Sequence, residues 1–71
     1  MKIQVNGEPR EFSKDLTIDS LISTLGLEPT RVAIELNQNV VRRSDWQATV
    51  LRDEDRVEIV HFVGGGALPG Q

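Results

Sequence analysis

Cysteine and tyrosine are absent from this 71-residue chain, which has one histidine and one tryptophan. Without cysteine the protein can form no disulfide, no zinc–thiolate site and no cysteine nucleophile of its own. Any sulfur chemistry would therefore need an atom other than a side-chain thiol to hold the sulfur.

Long apolar runs and concentrated positive charge are also missing. The first residues, MKIQVNGEPR, hold no long apolar segment, so we expect no signal peptide, no membrane partner and a cytoplasmic location. The formal net charge is −3, and Lys and Arg are scattered apart from Arg42 and Arg43. No basic face is available for phosphates, so nucleic acid is not an expected partner. The length predicts one small domain.

The first half of the chain predicts a hairpin followed by a helix. Asn6-Gly7 is typical of a hairpin turn, with a return strand over 10–13 and a loop longer than two residues because Pro9 lacks an N–H. A helix is indicated by one apolar stripe, with Thr17 as N-cap and Gly26 as C-cap. The stripe is formed by Ile18, Leu21, Ile22 and Leu25.

The second half predicts further strands. RVAIELNQNVV alternates as a strand, followed by a turn over 37–39 and a short strand, and then by a short helical turn with Ser44 as a possible cap. The last strand, RVEIVHFV, turns Val57 and Ile59 to one face. One helix on one face of a mixed sheet of four or five strands is an α+β pattern and describes a ubiquitin-like β-grasp, although another small α+β roll would show similar periodicity.

Candidate catalytic groups are few. His61 is interpreted as a strand residue rather than a base or ligand, because no other ligands are spaced to converge on it. The carboxylates over 53–55 are interpreted as a polar turn that bonds local backbone rather than a cation site. Trp46 is interpreted as a core residue rather than a partner hot spot. We therefore expect no enzyme, no metal site and no bound cofactor.

The remaining feature is VGGGALPGQ. It lacks the Lys and Ser or Thr of a phosphate-binding loop and the βαβ setting of a dinucleotide motif. Three successive glycines form a thin, pliable thread, because glycine has no Cβ. Such a segment is typical either of a disordered terminus or of a terminus that is threaded into the active site of another protein.

The second half of the chain carries an ordered set of features: Asn37, Val40-Val41, Arg43, Trp46, Asp53 with Asp55, an apolar last strand, and Gly65-Gly66. This set resembles the bacterial ThiS family of thiamine-biosynthesis sulfur carriers. The first half resembles the family more weakly.

The resemblance implies a β-grasp domain over 1–66 whose working group is the carboxylate of Gly66, with Gly64 and Gly65 threading into partners. It implies an E1-like adenylyltransferase of the ThiF type that uses ATP, a sulfur donor such as a cysteine desulfurase, and thiazole synthase of the ThiG type as sulfur acceptor. A sulfur carrier of the molybdopterin-synthase type, a ubiquitin-like protein modifier and a plain interaction module remain alternatives.

Residues 67–71 depart from the family pattern, because they follow the glycine that should carry the sulfur. Three interpretations remain open: a peptidase removes these residues, they do not belong to the natural chain, or this homologue no longer carries sulfur. Upstream, Val60 and Phe62 are expected on the sheet face that the helix leaves open, as a docking patch for partners. Packing of these two side chains against the Trp46 turn or against a loop is the alternative.

Overall fold

The computed structural model describes residues 1–62. They form a five-stranded mixed sheet with one α-helix, which confirms the expected α+β β-grasp architecture. The elements are β1 (Lys2–Val5), β2 (Glu8–Glu11), α1 (Ile18–Thr24), β3 (Val32–Leu36), β4 (Asn39–Val41) and β5 (Arg56–His61), with 3₁₀ turns at Pro29–Arg31 and Arg43–Ala48.

The strand order is β2-β1-β5-β3-β4, so β5, the last strand within residues 1–62, lies at the centre of the sheet. β5 runs parallel to β1 and antiparallel to β3, and β1–β2 and β3–β4 are antiparallel hairpins. The two hairpins are thus joined through β5.

The loop of the first hairpin is shorter than the sequence predicted. Asn6 and Gly7 alone form the turn, with φ of 51° and 84°, and the return strand already begins at Glu8. Pro9 lies opposite Gln4 in the edge strand β2. Because Met1 and Phe12 exchange both hydrogen bonds, the alternation along the hairpin turns the nitrogen of Pro9 away from β1. Its missing N–H therefore disrupts no pairing, and no longer loop is needed.

Helix α1 follows the sequence pattern closely. The Thr17 hydroxyl oxygen accepts a hydrogen bond from the Ser20 backbone N–H at 3.1 Å, which satisfies one of the N–H groups left free at a helix start. The helix ends with Leu25 as C-cap and Gly26 at φ 71°, a left-handed conformation that glycine adopts without strain.

The second hairpin turns at Asn37 and Gln38, and Asn39 already belongs to β4 rather than to the turn. The 3₁₀ turn that follows is not capped by Ser44, which lies within it; Arg42 holds the N-cap position without a side-chain hydrogen bond.

Trp46 closes the core, as expected. Its side chain is 2% exposed, and its indole N–H donates to the Val41 carbonyl at 2.9 Å. The core lies between α1, the 3₁₀ turn around Trp46 and one face of the sheet: Ile3, Val5, Leu16, Ile18, Leu21, Ile22, Val32, Ile34, Trp46, Leu51, Val57 and Ile59. The opposite face of the sheet is not covered by α1, and its residues are exposed or half-buried.

Candidate functional site at the end of β5 and the open face of the sheet

The central strand β5 leads directly towards the glycines. Its residues pair with β3 as far as His61, and the Phe62 N–H donates to the Arg31 carbonyl at 2.9 Å, which continues that pairing by one step. The sequence-predicted site residues Gly64, Gly65 and Gly66 lie outside the described residues, so their roles stay predictions.

Val60 lies on the open face. Its partner across the strands is Ala33, while the neighbouring pairs on that face are Glu35 with Glu58 and Glu35 with Val40. Val60 is 52% exposed and Val40 is 71% exposed. Val60 therefore does not pack against the Trp46 turn, and an apolar side chain remains available for contact.

Phe62 is half-buried. The alternation of β5, continued through the hydrogen bond to Arg31, places it on the same side of the strand as Val60. Within residues 1–62, the half-buried side chains that pack against the core include Phe12 but not Phe62. The docking role expected of Val60 and Phe62 remains a prediction.

The open face carries negative charge as well as valines. Glu35 and Glu58 face each other across β3 and β5. The salt bridges found among residues 1–62 join the Met1 amino group to Glu11 and Lys2 to Glu54, so neither opposed glutamate takes part in one. A partner that presents a cation beside an apolar side chain would complement this face.

Two asparagine side chains hold β5, and sequence reasoning missed both roles. Asn6 contacts the backbone of Ile59, which lies 53 positions further along the chain, and Asn37 accepts from the Arg56 N–H at 3.0 Å. Both asparagines have positive φ at the first position of a hairpin turn. The sequence indicated a turn at each asparagine, but it gave no indication that the two side chains bond to the distant strand β5.

A groove of about 230 Å³ lies on the helix side, beside the end of β5. Its apolar lining includes Leu25, Leu27 and Ile59. Glu8, Arg10 and His61 contribute polar side chains of both kinds, acidic and basic. His61 is exposed and pairs with Val32 within the sheet, as its interpretation as a strand residue expects.

The carboxylates of the acidic turn at 53–55 form hydrogen bonds within the protein. The Asp53 carboxylate accepts from the Lys2 N–H at 2.7 Å, and Asp55 accepts from the Arg52 N–H at 2.8 Å and from the Asn37 side chain at 3.0 Å. Among residues 1–62 no three potential ligands converge as a metal site would require. No helix in that part of the chain is long and apolar enough to cross a membrane.

Comparison with known proteins identifies the family. The protein-family model described as "ThiS family" matches residues 3–66 of the sequence. This range is most of the chain and includes the three successive glycines. The chain belongs to the ThiS family. It is similar to the sulfur carrier protein ThiS of Bacillus subtilis, with 38% identity over 65 residues that cover 90% of this chain and 98% of that protein.

Larger proteins also contain a region like this one. The thiazole synthase of Magnetococcus marinus is 45% identical over 69 residues, which cover 97% of this chain. The chain spans 21% of the length of that protein, and the same share of the thiazole synthase of Paramagnetospirillum magneticum.

A solved structure supports the fold. The crystal structure of thiamine biosynthesis protein ThiS from Geobacter metallireducens has a TM-score of 0.82 and 36% identity, and the match covers 93% of this chain and 100% of that one.

Proposed function

We propose that this ThiS-family protein is a sulfur carrier in thiamine biosynthesis and that the carboxylate of Gly66 is the group that carries the sulfur. The observation that carries the proposal is the family match, which runs through the glycines and ends at residue 66. The relative of similar length in Bacillus subtilis is named as a sulfur carrier. The chain acts as a co-substrate, and partner enzymes perform the catalysis.

The proposed chemistry requires activation before sulfur transfer. A carboxylate is a poor electrophile, so an oxygen of the Gly66 carboxylate attacks the α-phosphorus of ATP on a ThiF-type enzyme, and pyrophosphate leaves. In the resulting acyl-adenylate, AMP is the leaving group. The terminal sulfur of a persulfide on a donor such as a cysteine desulfurase then attacks the acyl carbon and displaces AMP, which gives an acyl disulfide between the carrier and the donor. A second thiol on a partner protein attacks the donor sulfur of that bond, so the thiocarboxylate leaves and a disulfide forms between the donor and the thiol.

The composition of the chain agrees with this route. No cysteine is present, and the route needs none on the carrier because the sulfur is held by a backbone terminus. Glycine at positions 64–66 offers a backbone without Cβ, so a narrow partner channel can admit it and the acyl carbon can be approached from several directions.

A free carboxylate at Gly66 requires removal of residues 67–71. We propose that a peptidase cuts after Gly66. The match to the Magnetococcus marinus thiazole synthase covers 97% of the chain, which leaves only about two of 71 residues outside and so extends past Gly66. The alignment with this relative therefore includes residues beyond Gly66, which argues against a segment foreign to the natural chain.

The proposed sulfur acceptor is thiazole synthase. The matches to two proteins of that name support this partner, since each contains a region similar to nearly the whole of this chain. The open face around Val60, with Glu35 and Glu58 beside it, is the proposed docking surface for the adenylyltransferase and for thiazole synthase.

The intact mass of the protein isolated from its native host tests the function. We expect a chain ending at Gly66, together with a form heavier by the difference between one sulfur atom and one oxygen atom. Protein that keeps Gln71 and still supports thiazole formation would contradict the proposal. Binding to thiazole synthase, rather than to the large subunit of molybdopterin synthase, separates the thiamine pathway from its nearest alternative.

A further inference from the structure

The side chain of Asn6 takes the place of one more residue of β1. Its Oδ1 accepts from the Ile59 N–H at 2.7 Å, and its Nδ2 donates to the Ile59 carbonyl at 3.3 Å. The backbone N–H of Asn6 donates in turn to the Val57 carbonyl at 2.9 Å. A carboxamide has the donor and acceptor of a peptide group, so it extends the ladder between β1 and β5.

Strand β5 needs this extension because β1 is shorter. The paired positions of β1 end at Val5, opposite Val57, and the chain then turns away at Gly7. β5 continues to His61, where only β3 pairs with it. Without the Asn6 side chain, the Ile59 N–H and carbonyl would lack a protein partner on the β1 side.

Asparagine suits this position for two reasons. The backbone of Asn6 has φ 51°, a left-handed conformation that asparagine tolerates better than most residues. Its side chain also offers both a donor and an acceptor. An ionised aspartate would keep the acceptor for Ile59 but would set a second carboxylate oxygen against the Ile59 carbonyl.

We propose that Asn6 is a positioning residue, which fixes the exit end of β5 and thereby the place from which residues 64–66 reach the partner active site. The inference rests on the proposed carrier function. Ile59 lies shortly before the glycines in the sequence, and holding it lowers the conformational entropy that must be lost when the terminus is inserted.

Asn37 provides a matched control at the opposite end of the same strand. It also has positive φ, at 50°, at the first position of a two-residue turn, and its side chain accepts from the Arg56 N–H at 3.0 Å. Asn6→Gly and Asn37→Gly each remove a side-chain contact with β5, and both keep a turn that glycine adopts freely.

The test compares these variants with Asn6→Asp in two measurements. Amide hydrogen exchange by NMR on the full chain reports whether Ile59 is held. Steady-state adenylation by the ThiF-type enzyme is then measured with chains ending at Gly66; residues 1–62 contain the strands, helix and core, so such chains keep the described fold.

For Asn6→Gly we expect exchange at Ile59 to rise about tenfold, since the Ile59 N–H loses its hydrogen bond to the Asn6 side chain. We expect kcat to fall about three- to tenfold with KM within about twofold, because the docking face is unchanged while insertion is less well ordered. Asn6→Asp should restore part of the protection and part of kcat. Asn37→Gly should leave exchange at Ile59, kcat and KM near those of the parent.

Equal kcat losses in Asn6→Gly and Asn37→Gly would overturn the proposal, because the effect would then reflect general loosening of the sheet. Unchanged exchange at Ile59 in Asn6→Gly would overturn it as well. If the parent chain ending at Gly66 is not adenylated at all, the carrier function fails instead, and the exchange data still decide whether Asn6 holds β5.

Discussion

Glu35 of β3 and Glu58 of β5 lie directly opposite each other on the open face of the sheet. Like charges in directly opposed positions destabilise a sheet. The pair therefore lowers the stability of the free protein, and a cationic partner placed over it would relieve that repulsion.

We predict that Glu58→Gln stabilises the isolated protein by about 0.2–1 kcal/mol at low salt, because it removes one of two opposed charges. Urea denaturation at low and high salt measures the effect, which should shrink as salt screens the repulsion. Glu54→Gln is the control, since Glu54 forms a salt bridge with Lys2 at 3.9 Å and its removal should give no stabilisation. A salt-independent gain would contradict the explanation.

The docking role of Val60 is tested by Val60→Asp. We expect weaker binding to the ThiF-type enzyme and to thiazole synthase, with stability changed by less than about 1 kcal/mol because the side chain is largely exposed. Val50→Asp is a matched control: Val50 is also 52% exposed but bridges to Thr17 beside the helix start, outside the sheet. Equal losses of affinity in the two variants would argue against a docking surface at Val60.

Phe62→Asp extends the test to the residue after β5. We expect impaired sulfur transfer with the fold retained, as judged by circular dichroism and thermal unfolding. Phe12 is also half-buried but packs against the core, so Phe12→Asp should lower the melting temperature clearly. If Phe62→Asp unfolds to the same extent, Phe62 belongs to the core and the docking surface does not include it.

The proposed narrow channel of the partner enzyme, which admits glycine but no larger residue, gives a further prediction. Gly64→Val should leave the melting temperature unchanged and should lower the adenylation rate more than about tenfold, because a branched side chain obstructs a narrow channel. The assay uses chains ending at Gly66. For the full chain in its native host, Ala67→Val alters a residue beyond the proposed cut, so thiocarboxylate formation should stay normal once that residue is removed.

Trp46→Phe should destabilise the protein by about 1–3 kcal/mol. The substitution leaves the Val41 carbonyl without the indole N–H and leaves a small cavity in the core. Chemical denaturation followed by circular dichroism measures the change, since the variant loses the only tryptophan of the chain. A neutral result would show that the neighbouring side chains fill the space.

Local features of this fold could be predicted from the sequence, while long-range pairings could not. The apolar stripe, the Thr17 cap and Gly26 define α1 because their interactions lie within a few residues. The prediction of a long loop before Pro9 was wrong. Pro9 lies in the edge strand β2, and β2 is an edge strand only because β5 occupies the centre of the sheet. The contact of Asn6 with Ile59 also joins distant parts of the chain, so turn chemistry alone could not reveal it.

The central place of β5 has a consequence for synthesis on the ribosome. The two hairpins share no direct pairing, so the sheet cannot assemble until the last strand has emerged. A nascent chain interrupted before residue 56 would leave apolar hairpin surfaces uncovered and open to proteolysis. The strand order thus makes folding depend on nearly complete synthesis, because only a translation product that includes β5 can form the folded domain.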